Sequence, residues 1–87
     1  MAEVSRDEVI AVLRRENPKA RSDELAMYAD SYRAYHEANA NIEKNGTIVA
    51  HPRTGAPIAN PYLVVRQQAM AELRKFTRIK NTGGLWS

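Results

Sequence analysis

Asn60-Pro61-Tyr62-Leu63-Val64-Val65 follows a stretch punctuated by Pro52, Gly55 and Pro57. An asparagine side chain can cap a helix N-terminus, and a proline behind it presets the first helical φ without leaving an unpaired N–H. The pair therefore fixes the start of a long C-terminal helix. Upstream, Asn45-Gly46 offers a left-handed ending for the preceding helix. Residues 46–59 are then the connection inside a helix-loop-helix unit.

Each flanking helix has an apolar stripe at helical spacing. Leu25, Tyr28, Tyr32, Tyr35 and Ile42 share one face of a helix over residues 22–45, with Ala29 and Ala38 beside them. Ser22-Asp23-Glu24 reads as its start, a hydroxyl cap with acids in the first turn, although Asn17-Pro18 is a second candidate start. Tyr62, Val65, Ala69, Leu73, Phe76 and Ile79 line a third helix, expected from Pro61 to about Thr82 and stopped by Gly83-Gly84. A short first helix over residues 6–16 has a capping box in Ser5 and Glu8, a staple in Val4 and Val9, and a stop at Asn17-Pro18. Asn17 to Ser22 reads as a poor tight turn. Within the connection, Thr47-Ile48-Val49-Ala50 fits either an irregular loop or a strand returning near Ile58 after Pro52-Arg53-Thr54-Gly55. The expected fold is all-α: a short N-terminal helix, residues 1–21 with its turn, and an antiparallel hairpin of two long helices, 22–45 and 60–83. The loop 46–59 has room for a small β ribbon, and 84–87 is a tail.

The 87 residues suffice for one domain, which buries only ~60% of its unfolded surface. Thirteen alanines favour helix and close approach but bury little area. A two-helix layer cannot cover both of its faces, so sister copies are expected to do so, closing into a ring. The interface expected from the stripes comprises Leu25, Tyr28, Tyr32 and Tyr35 on one helix with Tyr62, Val65, Leu73 and Phe76 on the other. Trp86 is expected to dock beside them. A core role for the tyrosines outweighs their use as stacking platforms for single-stranded bases.

Charge is divided unevenly. Residues 1–44 carry seven Lys/Arg against nine Asp/Glu, whereas residues 45–87 carry six Lys/Arg against Glu72 alone. Either an anionic partner for the second half or complementarity between neighbouring copies follows. Arg66, Arg74, Lys75, Arg78 and Lys80 read as a phosphate-contacting surface or as a solvated face whose late cations match the helix dipole. Arg53 at the loop tip is a weaker member of that set.

No catalytic constellation is present. The chain has no cysteine, which removes thiol catalysis and cysteine zinc sites. His36 and His51 lack ligand partners at metal-binding spacing and read as surface histidines, and the four glycines are too scattered for a phosphate loop. No metal, cofactor or enzymatic activity is expected. Glu3, Arg6, Asp7 and Glu8 interrupt any leader-like apolar run, and no run approaches the ~20 residues of a membrane span, so a soluble protein of the cytoplasm is expected.

The order Ala26-Met27-Tyr28-Ala29-Asp30-Ser31-Tyr32, Gly46, Gly55, Asn60-Pro61-Tyr62, a basic-ended helix and Gly83-Gly84-Leu85 resembles phage terminase small subunits. The closest resemblance is to the branch found beside HNH endonuclease genes in cos-type phages and prophages, and it covers roughly residues 22–85. It implies a non-enzymatic packaging factor that assembles as a ring, engages double-stranded DNA and recruits or regulates the large terminase subunit, in the host cytoplasm. Against the family pattern the chain is short, so neither a separate recognition domain nor a C-terminal extension is expected. A protein-only adaptor of the packaging motor and a small helical DNA-binding regulator are the competing readings.

Overall fold

The computed structural model describes residues 5–80. Three helices and one ribbon run in the order α1 (Arg6–Glu16), α2 (Ser22–Asn45), β1 (Ile48–Ala50), β2 (Pro57–Ala59) and α3 (Tyr62–Lys75). The fold is therefore mainly helical, with a small antiparallel sheet. Contacts from α2 to α3 pair Asn41 with Asn60, Asn39 with Arg66 and Tyr28 with Phe76. Rising numbers on one helix meet falling numbers on the other, so the two helices are antiparallel. The molecule measures 50 × 25 × 19 Å.

The chain stops and starts its helices where its backbone chemistry requires. α1 ends at Glu16, as the Asn17-Pro18 pair dictates. Asn17 and Pro18 then form a tight turn, closed by the Ala20 N–H donating to the Asn17 carbonyl at 3.1 Å. This corrects the expectation of a poor turn: proline presets the second position of a β-turn, which matters more than the mixed composition around it. Arg14 braces the same turn, donating to the Ala20 carbonyl at 2.6 Å and the Ser22 hydroxyl at 3.0 Å. Ser22 is thus the first residue of α2 and Arg21 its cap position, with no side-chain cap bond. Ser5 does stand at the cap of α1, but its hydroxyl makes no cap bond either. Val4 lies outside the described residues.

Gly46 ends α2 with φ +84° and ψ 178°, a backbone state that only glycine adopts cheaply. β1 and β2 then pair Ile48 with Ala59, Val49 with Ile58 and Ala50 with Pro57. Of these, Val49 and Ile58 are half-buried on one face of the ribbon, which gives it the packing partner an isolated hairpin needs. His51 organises the tip, its Nδ1 accepting the Arg53 N–H at 3.1 Å. It is therefore a turn-forming residue and not only a surface one.

Asn60 joins the ribbon to both long helices. Its Nδ2 donates to Asn41 Oδ1 at 3.0 Å and the Gly46 carbonyl at 2.9 Å. Its Oδ1 accepts the Tyr62 N–H at 3.0 Å, and its own N–H donates to the Thr47 carbonyl at 2.8 Å. Pro61 already has helical angles, so the start read from sequence holds to within one residue.

The core lies at the opposite end. Val9 and Leu13 of α1 pack with Leu25, Tyr28, Ala29 and Tyr32 of α2, joined by Ile79 from beyond α3. Phe76 meets Tyr28 edge-on at 5.8 Å. α3 ends at Lys75, seven residues short of the expected Thr82. A straight continuation would carry Ile79 past the end of α1. Instead the chain turns at Phe76–Ile79 and inserts Ile79 among Val9, Leu13 and Tyr32, where burying one isoleucine is worth about 1.5–3 kcal/mol.

On α2, the His36 ring packs against Tyr32 at 4.3 Å and Tyr35 at 5.4 Å, and burial lowers its pKa from the ordinary 6.5. The unfolded chain therefore takes up this proton first as pH falls. His36 contributes stability that is present in full above pH 6.5 and declines below it. Urea midpoints at pH 7.5 and 5.5 should fall further for the wild type than for His36→Phe, and equal falls would remove His36 as the cause.

Candidate nucleic-acid interface

The cations named from sequence divide into three groups. Arg53 is exposed at the ribbon tip. Arg74 and Lys75 stand in the last turn of the 14-residue α3, ~21 Å along its axis from its start, and Arg78 and Lys80 follow it. Arg66 sits between them: it is half-buried, donates to Asn39 Oδ1 at 3.1 Å, and lines an open groove along α3 together with Arg74. Its expected place off the packed face is corrected, because α3 turns its Tyr62, Leu63, Arg66, Ala69 and Leu73 side towards α2. Val65, expected on that side, is 37% exposed instead. Of the remainder, Lys75 pairs with Glu72 at 3.0 Å, an exposed contact worth ~0–1 kcal/mol and readily exchanged for another anion.

Two cations that the sequence reading passed over join the far group. Lys19 and Arg21, on the turn between α1 and α2, line an open groove whose other wall is Arg78 and Ile79. Arg21 also contacts Asp23 at 3.3 Å, with both side chains largely in solvent. Summing charge by halves of the chain hid them, since both lie in the net-acidic half. What brings them to Arg78 is Asn17, whose amide pairs with the Lys80 peptide in both directions. Nδ2 donates to the Lys80 carbonyl at 2.8 Å and Oδ1 accepts the Lys80 N–H at 2.8 Å. The same Nδ2 also reaches the Leu13 carbonyl at 3.0 Å.

The residues expected at a subunit interface are also redistributed. Leu25, Tyr28 and Tyr32 are enclosed by the chain's own core, at 0%, 5% and 2% exposure. α1 and Ile79 cover the stripe that a two-helix layer would have left open, so a neighbouring copy cannot reach these three side chains. Leu73 and Phe76 are partly buried against the same core. Tyr35 and Tyr62 are half-buried. The larger exposed apolar groups are Val64, Val65 and Met70 on α3, with Met27 on α2 and Ile48 on the ribbon. Trp86 lies outside the described residues.

The geometry defines a small helical module with a cationic end and exposed apolar side chains on α3. The family model described as phage terminase, small subunit, matches residues 2–78. The chain belongs to that family, which places it in phage genome packaging. No curated protein matches the chain. No solved structure matches it. Among the described residues, no helix is long and apolar enough to cross a membrane.

Asn17→Ala removes both bonds to Lys80 and leaves that peptide without its partners, a loss of about 2–3 kcal/mol in urea denaturation. A loss under ~0.5 kcal/mol, the scale of an ordinary surface substitution, would show that the clamp is not structural.

Proposed function

We propose that this chain is a small terminase subunit that engages double-stranded DNA through the cationic end formed by Arg74, Lys75 and Arg78, and that recruits or regulates the large terminase subunit. The observation that carries this reading is that Arg74 and Lys75 in the last turn of α3 and Arg78 just after it are all exposed, with Glu72 making only an exposed, exchangeable contact to Lys75. Lys and Arg that neutralise phosphates release condensed counterions, so binding is salt-sensitive and largely independent of sequence. Such contact positions a protein on DNA without reading bases. Arg53 is a separate contact, too far along the molecule to belong to the same patch, and Arg66 is a structural cation. The chain itself performs no catalysis in this reading, and it acts in the host cytoplasm. We assign it to the branch found beside HNH endonuclease genes, on the sequence likeness given above.

The reading includes a ring. Val64, Val65 and Met70, exposed on α3, offer neighbouring copies apolar area, and Tyr35 and Tyr62 are half-buried. The core tyrosines Tyr28 and Tyr32 have no part in it. The same exposed groups favour a second reading, in which the chain is a protein-only adaptor of the motor and the cations are merely solvated.

Replacing Arg74, Lys75 and Arg78 together by alanine should weaken retention of random duplex DNA at least tenfold at low salt. The mass by light scattering should stay unchanged, at several multiples of the 9.8 kDa chain. Unaltered DNA retention would favour the adaptor, and a 9.8 kDa species at micromolar concentration would remove the ring.

A further inference from the structure

The groove between the α1–α2 turn and the segment after α3 is built from both halves of the chain. Its walls are Lys19 and Arg21 on one side and Arg78 on the other, and its floor is Ala20 and Ile79, with Glu24 the one acid on its lining. The excess of positive charge is therefore local to this groove, although the N-terminal half is acidic as a whole.

Its shape is held on both sides. Arg14 fixes the turn through the Ala20 carbonyl and the Ser22 hydroxyl. Across the groove, Ile79 is anchored in the core while Asn17 clamps the Lys80 peptide, leaving Arg78 and Lys80 exposed on either side of a fixed residue. Their attachment points are fixed, while Arg21 keeps an exposed, exchangeable contact with Asp23. Exposed cations on an immobile backbone lose less freedom on binding than cations on a mobile tail.

We infer that this groove is a second phosphodiester-binding element, in which Lys19 and Arg21 of the N-terminal half extend the cationic surface of the C-terminal half along one DNA strand. The inference rests on the DNA-binding reading above and adds residues to it. A polymer of regularly repeated phosphates is the fitting ligand because the cations form a track and not a pocket. Lys19 and Arg21 face Arg78 across the open groove, and the exposed Lys80 follows Ile79 in the chain. The groove is open, with Pro18, Ala20 and Ile79 as its apolar lining, so a ligand meets the three cations without being enclosed. Asn17 is the positioning residue: it touches no phosphate and holds the two sides of the track together.

The test uses the full chain and a labelled random-sequence duplex, with affinity measured by fluorescence anisotropy across a KCl series. Lys19 and Arg21 are both exposed, so Lys19→Ala/Arg21→Ala keeps the fold, which a thermal melt verifies. Losing two phosphate contacts makes the slope of log K against log salt shallower by about 1.8, and it lowers affinity about tenfold or more at low salt. Lys44→Ala, an exposed cation in the last turn of α2 outside both cationic groups, should leave the slope near the wild-type value. A Lys19→Ala/Arg21→Ala variant with the wild-type slope overturns the groove, while loss of binding on replacing Arg74, Lys75 and Arg78 would leave the broader reading standing. Wild-type protein that fails to bind duplex at low salt overturns both. A variant that keeps its DNA slope but loses binding to an oligoglutamate peptide identifies a protein-docking groove, which also overturns the inference.

Discussion

Two asparagines, each followed by a proline, hold the backbone of this molecule together. Asn17 and Asn60 are the buried polar side chains of the described residues, at 8% and 2% exposure. A buried amide left unpaired costs about 1–3 kcal/mol, so each must be matched on both its donor and acceptor sides. Both are. The Asn17 amide pairs with the Lys80 peptide as a second strand would, across 63 positions of sequence. Asn60 gathers Asn41, Gly46, Thr47 and Tyr62, so the end of α2, the base of the ribbon and the first turn of α3 share one side chain. In each case the following proline disfavours helix at the asparagine, which frees the amide for tertiary use.

The two clamps divide the labour between the ends of a 50 Å molecule. At the Asn17 end lie the core, the segment after α3 and the cationic groove. At the Asn60 end lie the ribbon and the beginning of α3. A short α-helical chain with many alanines has little apolar area to specify how its helices meet. Hydrogen bonds that tolerate only one geometry supply that specification here, and they place exposed cations from distant parts of the chain side by side.

Most of the local architecture was legible, because its signals are local. Asn17-Pro18 and Asn45-Gly46 bound α1 and α2 where the structure has them, whereas the ribbon was one of two readings left open for its segment, and the structure shows the strand pair. The end of α3 was not legible. Apolar periodicity runs on through Ile79, and only the three-dimensional arrangement shows that this residue reaches the core by leaving the helix. The same limit explains the tyrosines. Tyr28 and Tyr32 read correctly as a packed stripe, but spacing does not distinguish packing within a chain from packing between chains. Lys19 and Arg21 were missed for a related reason, since the partner that gives them meaning, Arg78, is more than fifty residues away in sequence.

The central claim is that single amides, and not apolar area alone, set the relation between segments. Amide hydrogen exchange on an Asn60→Ala variant tests it most directly. The account predicts that protection falls together in β1, β2 and the first turn of α3, while α1 and the N-terminal half of α2 keep theirs. Faster exchange confined to the Tyr62 amide, with the ribbon unchanged, would contradict it and reduce Asn60 to an ordinary helix cap.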